Sequence, residues 1–136
     1  MAFTRPYTKC YSTFNNRVFK TRYFSRVFKS VNDQIWCDAV QEMSHGLIDA
    51  QLGRSIVKKR VAINGKGKRS GARTIVATKK EDRWFFVYGF NKNDQANIST
   101  KELAALTKLA DLLLNRTNSE LDEAVAQNEL AEICHD

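Results

Sequence analysis

At 136 residues, with 43% apolar residues and a single proline, the chain is long enough to bury one modest core unaided. No run approaches ~18 consecutive apolar residues, so no membrane-spanning helix is expected. Cys10, Cys37 and Cys134 lie far apart with no C-x-x-C pair, which argues against a disulfide framework or zinc site and for reduced cytosolic thiols. The net charge of +7 is uneven: residues 96–136 hold three basic and eight acidic side chains, the rest of the chain 19 basic and seven acidic. The first part of the chain therefore seeks an anionic partner.

Residues 1–32 carry seven basic side chains and no carboxylate, a composition shared with transit peptides. No amphipathic period runs through TRPYTKCYSTFNN, so the expectation is a flexible basic arm over 1–16 and a single domain over 17–136. RVFKTRY alternates as a strand does, and YFSRVFKS is compatible with the start of a short helix. Asn32 or Asp33 then caps a longer helix, with Val31, Ile35, Trp36, Ala39, Val40, Met43 and Leu47 recurring at spacings of three and four, and Gly46 as its stop. GLIDAQLGRS leads into the next strand.

That strand, Ile56–Ile63, places Lys58 and Arg60 on one face and Val57, Lys59, Val61 and Ile63 on the other. A loop over Asn64–Gly71 with three glycines follows, then a second β-type run, Ala72–Ala77. Lys58, Lys59, Arg60, Lys66, Lys68, Arg69 and Arg73 all fall in this hairpin, with no carboxylate among them. WFFVYGF, apolar on both faces, reads as the central strand. Ser99 and Glu102 have capping-box spacing ahead of a helix whose Leu103, Leu106, Ala110 and Leu113 form one stripe. An acidic helix opened by Asn118 or Ser119 is expected to run through LDEAVAQNELAEI, burying Leu121, Val125 and Ile133. The expected fold is α+β: a small, mostly antiparallel four-stranded sheet with helices packed on it, in the order β-α-β-β-β-α-α.

GKGKRSG is one residue too long for a dinucleotide fingerprint and leads to a strand rather than a helix, and no Walker loop can be drawn through it. His45 and His135 suggest no site, and no Ser-His-Asp or metal-ligand arrangement is present; neither cofactor nor metal is expected. What remains is a basic hairpin next to an aromatic strand, which points to nucleic acid.

FKTRYFSRVFKS, GLIDAQLGRSIVKKRVAINGKGKRSGARTIVAT, RWFFVYGFNKND and ISTKELAALTKLA, in that order and at those distances, resemble the RelE/ParE superfamily of bacterial type II toxin–antitoxin toxins. Within it they are similar to the RelE-like branch grouped with HigB toxins, over roughly Phe19 to Leu114. The resemblance implies a microbial-ribonuclease-type fold and a cytoplasmic mRNA interferase. Such a toxin enters the ribosomal A site and cuts mRNA by attack of the ribose 2′-OH on the adjacent phosphate. It implies as partners mRNA, the ribosome and a cognate antitoxin of helix-turn-helix type.

By the same resemblance Arg73, Lys58, Arg60 and Lys92 carry catalysis and Lys66, Lys68 and Arg69 bind RNA; Lys59 joins the RNA-binding set as part of the basic hairpin. Asn93 stands where some RelE proteins have arginine, and no tyrosine follows Tyr88, so general acid and base are not supplied by the pattern. A lysine base would have to drop from ~10.4 to about 7 to be half neutral, which crowded cations favour. Charge building on the nonbridging oxygens falls to Arg and Lys, Arg73 with its planar fork above all. Two alternatives use the same surface: a ParE-like inhibitor of DNA gyrase, and a non-catalytic RNA- or ribosome-binding module.

Overall fold

A computed structural model describes residues 16–63, 65, 67, 71–79, 82–95 and 97–134. The elements are β1 (Arg17–Thr21), α1 (Arg22–Val27), α2 (Asp33–Ser44), β2 (Ala50–Gly53), β3 (Ile56–Val61), β4 (Ala72–Thr78), β5 (Arg83–Asn91), α3 (Thr100–Leu114), α4 (Asn118–Ala126) and β6 (Leu130–Ile133). The strands form one sheet in the order β2-β3-β4-β5-β1-β6. β1 pairs parallel with β5, and every other pairing is antiparallel. The fold is α+β as expected, with the four anticipated strands at its centre and two short strands added at its edges.

Both edge strands correct the sequence reading. AQLG, taken as connection, pairs with β3 as β2. LAEI, taken as the end of the acidic helix, is β6, antiparallel to β1. Leu130 and Ile133 are three apart, a spacing that suits one helix face, yet each is buried in a different core because a strand sends such residues to opposite sides. Asn128, at φ 62°, ends the helical turn in the left-handed region that asparagine tolerates. Arg17 then binds the incoming strand: its guanidinium lies 2.7 Å from Glu132 Oε1 and 2.8 Å from Asp122 Oδ1.

The helix starts follow local chemistry. Thr21 accepts from Phe24 N–H, Asn32 from Gln34 N–H, and Ser99 and Glu102 make the reciprocal capping box at α3. At α4 the cap is Thr117, with Glu120 completing a second box, one residue before the expected Asn118.

Each face of the sheet carries its own core. On one side Phe24, Phe28, Trp36, Ala39, Val40 and Met43 of the α1–α2 segment pack on Val57, Val61, Val76, Trp84 and Phe86. On the other Leu106, Ala110, Leu113, Leu121 and Ala124 of α3 and α4 pack on Phe19, Ile56, Ile75, Phe85 and Val87. No helix among the described residues is long and apolar enough to cross a membrane.

A third correction concerns the cysteines. Cys37 of α2 and Cys134, just past β6, form a disulfide with Cα atoms 5.5 Å apart. They are 97 residues apart in sequence, and pairing of β6 with β1 is what delivers the end of the chain to α2. Cys10 lies outside the described residues.

Candidate nucleic-acid interface

The α3 face of the sheet is only partly covered. Alternation along β3 sends Ile56, Lys58 and Arg60 to this face, and along β4 Ala77, Ile75 and Arg73. Ile56, Ile75 and Ala77 lie in the core with α3, whereas the cations gather at the other end of the two strands, next to the 64–71 loop. Register completes the row: Arg60 stands opposite Arg73, and Arg73 opposite Phe90 of β5. One step back toward the core, Lys58 stands opposite Ile75, and Ile75 opposite Tyr88. Beyond the end of β5, the Lys92 N–H reaches the Gly71 carbonyl at 3.4 Å, which holds that exposed lysine against the base of the loop.

Arg73 is the unusual member. It is only 7% exposed, and its pKa is lowered, first by burial and then by the Arg60 guanidinium, with Asp49 acting in the opposite sense. An arginine remains charged under such pressure. Across the strand pair the Arg60 charge opposes that of Arg73 and the Asp49 charge supports it. Asp49 also accepts the Arg60 backbone N–H at 2.6 Å.

Of the residues assigned from sequence, Lys58, Arg60, Arg73 and Lys92 are thus brought to one end of one face. Lys59 is not. It points to the opposite face, is 3% exposed, and its Nζ lies 2.7 Å from Glu42 Oε1 and 2.8 Å from the Leu47 carbonyl oxygen. The expectation that Lys59 meets RNA is corrected on that ground: its ammonium is held inside the protein by α2. Lys66, Lys68 and Arg69 lie outside the described residues.

The sequence pointed to the aromatic strand beside this surface as a whole but singled out no residue of it. Tyr88 was read as one more residue of a central strand, although it is the only hydroxyl-bearing side chain in WFFVYGF. Its hydroxyl donates to Glu102 Oε2 at 2.7 Å. Burial first, then that hydrogen bond, push the Tyr88 pKa well above its ordinary value. Glu102 is held below its usual range, chiefly by the Ser99 backbone N–H and then by Tyr88. Tyr88 therefore stays a neutral phenol whose proton is aimed at Glu102. Among the described residues no three His, Cys, Asp or Glu side chains gather to hold a metal ion.

A family model described as the RelE toxin of the RelE / RelB toxin–antitoxin system matches residues 16–133, which span all six strands and four helices. No curated protein matches the sequence significantly. With that match over nearly its whole length, the chain belongs to the RelE toxin family of toxin–antitoxin systems.

Proposed function

We propose that this toxin is an mRNA endoribonuclease acting at the ribosomal A site, in which the ribose 2′-OH attacks the neighbouring phosphate without a metal ion. The observation that carries the reading is the Arg60–Arg73 pair, two opposed cations, the first exposed and the second buried, at the end of a sheet face beyond the α3 core, with Lys58 and Lys92 beside them. Attack on a phosphodiester builds negative charge on the nonbridging oxygens, and preorganised donors in a site of low water content are most effective there. Arg73 takes that role because the sheet fixes its backbone and its burial removes competing water. Arg60, Lys58 and Lys92 hold the flanking phosphates, and the loop cations Lys66, Lys68 and Arg69 add to the binding of the RNA. In-line placement of the 2′-OH by ribosome-bound mRNA contributes much of the remaining rate. The cell's protection is a cognate antitoxin, and the place of action is the cytoplasm, where ribosomes translate.

Primer extension and end-group analysis of mRNA after brief induction test this reading. The expected products carry a 5′-hydroxyl on one fragment and a 2′,3′-cyclic phosphate, or its 3′-phosphate product, on the other. Fragments with 3′-hydroxyl ends would overturn the mechanism, and ribosome co-sedimentation without any cleavage would assign a binding module instead.

A further inference from the structure

Next to the cations, on the same side of the sheet, lies an aromatic pair that the proposed cleavage chemistry does not use. Tyr23, the second residue of α1, stacks on Tyr88 with ring centroids 5.2 Å apart and planes 10° from parallel. Tyr88 in turn meets Phe90 at 6.0 Å, and Phe90 is the cross-strand partner of Arg73. A continuous path therefore runs from Arg60 and Arg73 through Phe90 and Tyr88 to Tyr23. The buried residue of α1 is Phe24, and Tyr23 is 39% exposed, so the core does not explain its position.

The pair is held from behind. Tyr88 is anchored by Glu102 and, at 3.3 Å, by Gln95 Oε1, and Glu102 is itself fixed in the α3 capping box. The Arg26 guanidinium lies 5.7 Å from the Tyr23 ring centroid, adding a second flat, cationic group at the exposed end of the stack. Rings fixed in this way lose little freedom when a further flat group is added, and every base offers a π face. Aromatic and arginine planes beside phosphate-binding cations are the means by which unpaired RNA bases are gripped.

We propose that Tyr23, backed by Tyr88 and flanked by Arg26, is a stacking platform for an unpaired base of the RNA whose phosphate lies at Arg60 and Arg73. The inference rests on the RNA reading above and adds to it a base-binding position. Stacking is tolerant of base identity, so the platform orients the strand rather than selecting a single sequence.

The test uses 2′-O-methyl RNA oligonucleotides, which lack the attacking hydroxyl and remain intact, titrated against the parent, Tyr23→Phe and Tyr23→Leu and followed by fluorescence anisotropy. One abasic residue is moved through the oligonucleotide. The parent and Tyr23→Phe should bind alike, while Tyr23→Leu should bind about tenfold more weakly. An abasic residue at one position should weaken parent binding by a similar factor and leave Tyr23→Leu unaffected. Thermal melting should be the same for all three proteins. Equal binding by the parent and Tyr23→Leu overturns the platform alone. A parent that neither binds the oligonucleotides nor cuts mRNA overturns the RNA reading and the platform with it.

Discussion

The Lys59 ammonium sits 2.7 Å from the Glu42 carboxylate and fastens β3 to α2, while Lys58 and Arg60 on either side of it in sequence turn to the other face. One strand thus carries cations to both faces of the sheet, and parity decides which of them is tied to α2. Removing the carboxylate leaves a buried ammonium with only the Leu47 carbonyl, whereas removing the lysine leaves a carboxylate that water can still reach. Glu42→Ala should therefore cost about 2–4 kcal/mol of unfolding free energy, and Lys59→Met clearly less. Urea denaturation of both variants checks the order, and the reverse order would show that the pair is not an internal tie.

The role proposed for Arg73 can be tested apart from binding. Arg73→Ala should lower mRNA cleavage by about 10²–10³, in line with ~3–4 kcal/mol for one preorganised charge-stabilising donor, while ribosome co-sedimentation persists. Arg73→Lys should rescue little because the planar fork is lost. Loss of binding and cleavage together would place Arg73 among the general phosphate contacts. Lys66→Ala, by comparison, should weaken binding modestly and reduce its salt slope by about 0.7.

Gly71 leaves no room for a side chain. A Cβ there would collide with the Val61 carbonyl oxygen, which is backbone and cannot swing aside, and the Gly71 carbonyl receives the Lys92 N–H. Gly71→Ala should destabilise the fold by about 1–3 kcal/mol and reduce cleavage beyond what that loss explains, because Arg73 and Lys92 are displaced together. Cleavage measured well below the melting temperature separates the two effects.

The Cys37–Cys134 bond closes a loop of 97 residues, so dithiothreitol or Cys37→Ser should lower stability by about 2–4 kcal/mol. Neither cysteine adjoins Arg73, so cleavage at 25 °C should be unchanged. Thiol labelling of the native chain reads the pairing directly: uptake of reagent at Cys37 and Cys134 before reduction would refute it.

Tyr88 and Glu102 predict opposite pH limbs. The Tyr88 pKa is raised in the fold, so its contribution is complete below the ordinary value of 10.0 and declines as pH rises beyond it. The Glu102 pKa is lowered, so its contribution is complete above the ordinary 4.5 and is lost as pH falls. Tyr88→Phe should flatten the alkaline limb and weaken the acid one, where the Ser99 backbone N–H still holds Glu102. Denaturation midpoints between pH 3 and 11 should resolve both changes.

The sequence by itself determined what local chemistry dictates. The α3 cap is written in Ser99 and Glu102, the face of α2 in the spacing of Trp36, Ala39, Val40 and Met43, and the interior place of β5 in a run with no polar face. Alternation in IVKKRV put Lys58 and Arg60 on one face. Tertiary structure alone decided the rest, because those outcomes depend on partners distant in the chain. LAEI becomes a strand since β1 offers it an open edge, and that pairing brings Cys134 to Cys37. Lys59 is removed from the surface by Glu42, a residue of another element whose approach no pattern in β3 encodes. Tyr23 and Tyr88, 65 positions apart, share a stack only because β1 lies parallel to β5 and ends where α1 begins. Periodicity fixes which way a side chain faces along its own element; what it then meets is set by the packing of elements that local sequence does not contain.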